Sequence, residues 1–294
     1  MRIGTVSDGA SRRVAVERQG SWHGLSGQAG DELAVILAAL ADPAAAQSAA
    51  GEPLPDSYRP VMPFRPLRDV FCLGKNYRAH AEEFARYSGE AEAVPPAPVV
   101  FTKSKEALCG PSDALEVAPA LAAAVDYEAE LVAVIGRGGE AIAEEQALAH
   151  VAGYSVLNDI TARDLQRLHS QWYLGKSLPR ATPWGPVIVT PDELEPFGDR
   201  RISSSVNGEG RQDARLGQMI FSVPAAIASI SRVVRLEPGD LIAMGTPSGV
   251  GVGFDPPRFL EDGDEVCCGI EAIGELRNRL AVGQPALLAR AGNE

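Results

Sequence analysis

Short apolar runs separated by turn residues dominate most of the chain. They fall at residues 70–73, 99–101, 125–135, 151–157, 187–190, 202–206 and 241–244. Runs of that length bounded by Gly, Pro, Asn and Asp predict β-strands. Between Ile3 and Val16 an Asp8-Gly9 turn signal separates two further β-like stretches, and Gln19-Gly20 follows, which predicts a small meander. Asp31 is placed to cap an Ala/Leu-rich helix that must end before Pro43. Helical patterns recur at 77–87, 140–150, 161–170 and 224–234, the last with Ser222 as its cap and Pro224 in its first turn. Asn207-Gly208 is the strongest hairpin signal in the sequence.

Gly51, Pro53, Pro55, Pro60, Pro63 and Pro66 punctuate the stretch after the first helix, and their fixed φ angles suit an extended connector. A boundary is therefore expected near residue 65, with a small N-terminal unit at 1–65 and a catalytic unit at 66–294. The regular βαβ alternation of a nucleotide-binding sheet is absent, so the expected class is α+β and β-rich.

The segment 125–135 adds chemistry to this pattern. From Tyr127 onward its odd positions are Tyr127, Ala129, Leu131, Ala133 and Ile135, which leaves Asp126, Glu128 and Glu130 on the other face of a strand. Neighbouring carboxylates on one pleat stand about 6.6 Å apart at roughly 3.3 Å per residue. They repel unless a cation bridges them or they take up protons. Oxygen ligands favour Mg²⁺, Mn²⁺ or Ca²⁺. On pattern alone the solvated face of an edge strand fits as well. Asp159 sits where an apolar strand passes into a helical pattern, which suits either a third ligand or a helix cap.

Three other places carry candidate groups. His80 and Glu83 are one helical turn apart, so the carboxylate is placed to orient the imidazole for acid–base work, or the pair is an ordinary helix pair. Lys176 stands between Trp172-Tyr173-Leu174 and a Pro/Gly-rich loop, as a surface lysine or as an ammonium for a substrate carboxylate or enolate. The glycine-rich run 245–253 looks like a backbone-lined anion loop, but it lacks the Gly-Lys-Ser/Thr ending of a phosphate loop.

Composition narrows the partners. A formal charge of -12 disfavours phosphate backbones and anionic lipid, so neither nucleic acid nor a membrane is expected. The four cysteines show no zinc spacing, no apolar leader precedes the first strand, and the longest apolar run is too short for a bilayer. A cytoplasmic protein is expected.

In this order, the segments 74–80, 126–131, 158–164, 175–177, 207–209, 238–240 and 245–251 resemble the fumarylacetoacetate hydrolase family, over roughly residues 68–280. The resemblance implies a mixed β-sandwich roll with a small N-terminal α/β domain, usually a homodimer. It implies Glu128, Glu130 and Asp159 as ligands of Mg²⁺ or Mn²⁺, His80 and Glu83 as a water-activating dyad, and Lys176 as the active-site lysine. It also implies Thr246 as a substrate contact and places Arg163 and Gln166 in a motif beside the site. The implied reaction is hydrolysis of a C–C bond in an acylpyruvate-type 2-oxo acid through a metal-stabilised enolate. Oxaloacetate decarboxylation, diene-dioate isomerisation and a catalytically silent metal-binding relative are the alternatives. The chain departs from the family after Lys176-Ser177, where many members carry Phe-Asp and this one has Leu178-Pro179-Arg180. That change puts the lysine's surroundings in question.

Overall fold

The computed structural model describes residues 1–27, 30–89, 94–121 and 123–283; the end of the expected catalytic unit, 284–294, lies outside them. The class is α+β and β-rich. Among the described residues, one large mixed sheet has eleven strands and a second sheet has five.

The strand Ala129–Ile135 is central and buried along its whole length. It pairs antiparallel with Val151–Asn158 on one side and with Leu241–Ala243 on the other, and Leu241–Ala243 in turn runs parallel to Val70–Gly74. Its alternation divides two cores. Leu131, Ala133 and Ile135 pack in one core with Ile202, Val266 and Leu276 of the five-stranded sheet. Val132 and Val134 point the other way, toward Ile36 and Leu40 of the helix Glu32–Ala41. Because both faces are covered, an edge strand with a solvated acidic face is excluded for this segment.

The N-terminal meander continues the large sheet, since Arg2–Ser7 pairs with Thr182–Val189. The Pro-rich stretch contributes the short strand Arg59–Val61 on the same edge. Residues Asn207 and Gly208 take left-handed φ angles of 49° and 79° and close the hairpin between Arg201–Val206 and Glu209–Arg215.

Several boundaries differ from expectation. Asp31 precedes its helix but makes no side-chain cap bond, whereas Asp42 accepts from Ala45 N at 3.0 Å and caps a second helix, Pro43–Ala49. The pattern at 140–150 forms a 3₁₀ stretch at Glu144–His150. The helix expected at 161–170 shortens to Arg163–Leu168 because Thr161–Ala162 pairs with Val125–Asp126 instead. The other two helices fall at Arg78–Ser88 and Val223–Ser231, and Ser222 Oγ accepts from Ala225 N as a cap. All four cysteines are free thiols. Among the described residues no single helix is long and apolar enough to cross a bilayer.

Candidate active site

Strand register brings the three acids together. Ala129 is paired with Asn158, so the residues just beyond that pair, Glu128 and Asp159, become neighbours, and Asp159 N donates to Glu128 O at 2.8 Å. Asn158 Oδ1 accepts from Glu128 N, which fixes the turn from the other side. Glu130 lies one pleat further along the strand. One oxygen from each of Glu128, Glu130 and Asp159 lies within 4.8 Å of the others, and all three side chains are buried.

Four buried carboxylates, including Asp126, meet three buried cations here: Lys103, Arg163 and Lys176. Lys176 Nζ bridges Glu128 Oε2 and Asp159 Oδ2, each at 2.7 Å. Lys103 Nζ binds Asp159 Oδ1 at 2.5 Å and the Ile160 carbonyl at 2.7 Å. Arg163 donates from Nε to Asp126 Oδ2 at 2.8 Å. Its Nη2 stands 2.7 Å from Glu128 Oε1, an ion pair by distance whose alignment is too poor for a hydrogen bond.

The charges are unequal in their consequences. Burial opposes ionisation of Glu128, but Lys176, Arg163 and His80 outweigh it and hold that carboxyl below its usual range. For Glu130, burial comes first and repulsion from Asp159 and Glu128 adds to it, pushing its carboxyl well above the usual range. Burial would lower the Lys176 ammonium, yet Asp159 and Glu128 overcome that and raise it. One carboxylate therefore lacks a full countercharge. A set of hard oxygen donors, buried and short of positive charge, fits a divalent cation such as Mg²⁺ or Mn²⁺.

His80 is buried on the helix Arg78–Ser88, with Nδ1 3.2 Å from Glu83 Oε2. The other oxygen of Glu83 accepts from Gly249 N at 3.1 Å. This reveals what the glycine-rich run does: its backbone N–H groups serve the protein's own carboxylates. Gly245 N donates to Glu130, Gly249 N to Glu83, and Gly251 N and Val252 N to Asp126. The expected anion loop thus has its anions built in.

His80, Glu128, Glu130, Arg163, Lys176 and Thr246 line one cavity, together with Gln166. Gln166 Oε1 accepts from Arg163 Nη1, and Thr246 Oγ1 donates to Ala129 O while accepting from Gln212 Nε2. The space enclosed is about 20 Å³, close to the room needed by one water molecule. Lys176, expected to face a substrate anion, is tied here to two protein carboxylates. Arg180 is exposed and is not part of the cavity lining, so the departure from the family pattern at 179–180 does not place a new cation in it.

Sequence reading missed several participants. Lys103 ends the apolar run at 99–103, and a lone lysine closing a buried strand was the available signal. Asp126 was grouped with the other acids, but it is held by Arg163 and the glycine loop. Phe84, Phe101 and Trp172, which also line the cavity, carried no pattern that separated them from core residues.

Residues 69–281 match the family described as "Fumarylacetoacetate (FAA) hydrolase C-terminal". The oxaloacetate tautomerase YisK of Bacillus subtilis (strain 168) is 44% identical over 216 residues, which is 74% of this chain and 70% of that protein. The solved fumarylacetoacetate hydrolase from psychrophilic Exiguobacterium antarcticum is 37% identical with a TM-score of 0.84, covering 96% of this chain and 100% of that one. The fumarylpyruvate hydrolase from Pseudomonas aeruginosa, solved in complex with Mn²⁺ and pyruvate, is 37% identical with a TM-score of 0.63, covering 74% of this chain and 91% of that one. With the family matched over most of its length and its acids gathered at one buried site, this chain belongs to the fumarylacetoacetate hydrolase family.

Proposed function

We propose that the protein is a divalent-metal-dependent enzyme that interconverts the enol and keto forms of a small 2-oxo dicarboxylic acid of the oxaloacetate type. The observation that carries this reading is that Glu128, Glu130, Lys176 and His80 line one confined cavity, with Asp159 completing the acid triad and Glu83 bonded to His80. The likeness to the Bacillus subtilis oxaloacetate tautomerase favours an oxaloacetate-type substrate over a long acylpyruvate.

A cation held by Glu128, Glu130 and Asp159 would supply Lewis-acid stabilisation of negative charge on the 2-oxo oxygen. The chain's own groups would do the rest. Glu83 fixes the imidazole through Nδ1 and leaves Nε2 of His80 to carry a proton to or from the carbon next to the carbonyl. Lys176 would add positive charge where the enolate develops, which favours the transition state over the ground state. Arg163 keeps Glu128 ionised and oriented. Burial excludes bulk water and strengthens each of these interactions.

Hydrolysis of an acylpyruvate is the second reading, favoured by the same His80–Glu83 pair, which is equally suited to deprotonating water. The two are separated by following the enol absorbance of oxaloacetate and, in parallel, pyruvate release from acylpyruvates and oxaloacetate, with Mg²⁺ or Mn²⁺ and with EDTA. Metal-dependent loss of enol without pyruvate release supports the tautomerase. Pyruvate from acylpyruvates makes it a hydrolase, and pyruvate from oxaloacetate a decarboxylase. Full activity in a Glu128→Ala, Glu130→Ala double variant would sink every metal-dependent reading.

A further inference from the structure

The strand that leads to two of the acids loses a neighbour where the acids begin. Leu241–Ala243 pairs with Val132–Val134, and Met244 N extends that ladder by donating to Leu131 O at 2.8 Å. The chain then turns away into the glycine-rich run through Gly245, whose φ of 85° is left-handed. On the other side, Glu128 N donates to Asn158 Oδ1 and Glu128 O accepts from Asp159 N. Main-chain groups alternate in direction along a strand, so those of Ala129, between Glu128 and Glu130, face the side that the departing strand has left. Ala129 is fully buried, and its N–H and carbonyl need partners there.

Two side chains supply them. Ala129 N donates to Gln212 Oε1 at 3.0 Å, and Ala129 O accepts from Thr246 Oγ1 at 2.9 Å. Gln212 Nε2 closes the ring by donating to Thr246 Oγ1 at 2.7 Å, and it donates to Pro247 O at the same distance. The amide fits only one way round, because the Ala129 N–H can only donate and the Pro247 carbonyl can only accept. Gln212 belongs to the strand Glu209–Arg215 of the five-stranded sheet and is buried, as is Thr246. It reaches across because the glycine-rich run lies against that strand: a Cβ at Gly249 would stand 2.1 Å from Arg211 O and 3.2 Å from Gln212 Cα.

We infer that Gln212 is a positioning residue for the metal site. It stands in for the departed strand, fixes the peptide groups between Glu128 and Glu130, and so sets how two of the three carboxylates converge, acting through the main chain. The inference rests on the reading above that the acid triad holds a divalent cation, and it is independent of which reaction that cation serves. A glutamine with this many buried hydrogen bonds also joins the two sheets, so loss of stability alone does not test the assignment.

The test compares Gln212→Met with Ser204→Ala in the metal-free full-length protein. Ser204 Oγ donates to the same Gln212 Oε1 at 2.8 Å, so Ser204→Ala removes a hydrogen bond from the same buried network and leaves the bond to Ala129 N in place. Both variants should unfold at lower urea than wild type. Only Gln212→Met should lose Mn²⁺ affinity by calorimetry, by on the order of tenfold, the low end for groups that orient metal ligands. The electron paramagnetic resonance line shape of its bound Mn²⁺ should also change, because the ligand geometry does. Wild-type affinity and line shape in Gln212→Met overturn the assignment, as does an equal loss of affinity in Ser204→Ala. If Gln212→Met does not fold, Gln212→Asn decides by the same two readouts: it keeps a buried amide one methylene short of Ala129 N, and a loss of affinity with an altered line shape is again expected. Failure of wild type to bind Mn²⁺ would instead remove the metal-site reading, and this inference with it.

Discussion

Glu83 and Gly253 are so close that a Cβ on residue 253 would lie 1.8 Å from Glu83 Oε1. The carboxylate reaches back to His80 because the glycine loop leaves that space open, and Gly249 N then holds its second oxygen. Gly253→Ala should therefore displace Glu83 without touching the acid triad. A misplacement of about 1 Å in a catalytic group can cost on the order of 100-fold in rate, so kcat should fall by one to two orders of magnitude. Mg²⁺ or Mn²⁺ affinity by calorimetry should stay close to that of wild type, since Glu83 bonds His80 and Gly249 rather than a carboxylate of the triad. A variant with wild-type kcat would show that Glu83 does not need this position.

The raised carboxyl of Glu130 makes the metal-free protein sensitive to pH. Its folded pKa lies above its unfolded value, so the native state binds the extra proton. The stability contributed by that neutral carboxyl is fully present below the ordinary glutamate pKa and is lost as pH rises toward the folded value. Metal-free wild type should thus lose more stability between about pH 5 and pH 8 than Glu130→Gln, which has nothing to ionise. A cation competes with the same proton, so the rise in Tm on adding Mg²⁺ or Mn²⁺ to wild type should be larger at about pH 8 than at about pH 5. Parallel pH profiles for the two proteins, read by thermal unfolding with EDTA, would remove Glu130 as the source.

The division between what could and could not be read from the sequence follows the range of the interactions. The alternation at 127–135 is local, and it placed Leu131 and Ala133 against Ile202 and Val266 on one side and the acids on the other. The Asn207-Gly208 turn and the Ser222 cap are local too, and both form where expected. The helix pattern at 161–170 lost its first residues to a strand pairing with 125–126 that no local pattern announces. Convergence at the site is likewise non-local: Lys103 meets Asp159 across 56 residues, and Gly251 N meets Asp126 across 125. The ordered motifs name candidates for the site, and the strand register brings them into contact.

Lys103 illustrates what such a hidden contact is worth. It is fully buried, and its ammonium is shared between Asp159 and the Ile160 carbonyl. Lys103→Met keeps the length of the side chain but leaves part of the Asp159 charge uncompensated. Removing one partner of a buried pair typically costs about 3–5 kcal/mol, and Lys176 on the other oxygen of Asp159 should hold the loss near the lower end. Urea unfolding of the EDTA-treated protein measures it. A loss under about 1 kcal/mol would place this pair with exposed ion pairs in its energetics.

Arg163 offers the sharpest separation of geometry from charge. Its guanidinium spans three partners: Nε bonds Asp126, Nη1 bonds Gln166 and Nη2 faces Glu128. A lysine carries the same charge on a single nitrogen and lacks the fork that reaches all three. Arg163→Lys should therefore leave Glu128 ionised but less well aimed. Groups that orient metal ligands are worth about 10–100-fold in metal affinity, so calorimetry with Mn²⁺ should show a loss in that range. The melting temperature should fall by only a few degrees, because the net charge of the cluster is unchanged and the lost hydrogen bonds number one or two at about 1 kcal/mol each. Unchanged Mn²⁺ affinity would mean that charge alone holds Glu128 in place, and that the strand register between Ala129 and Asn158 already fixes its direction.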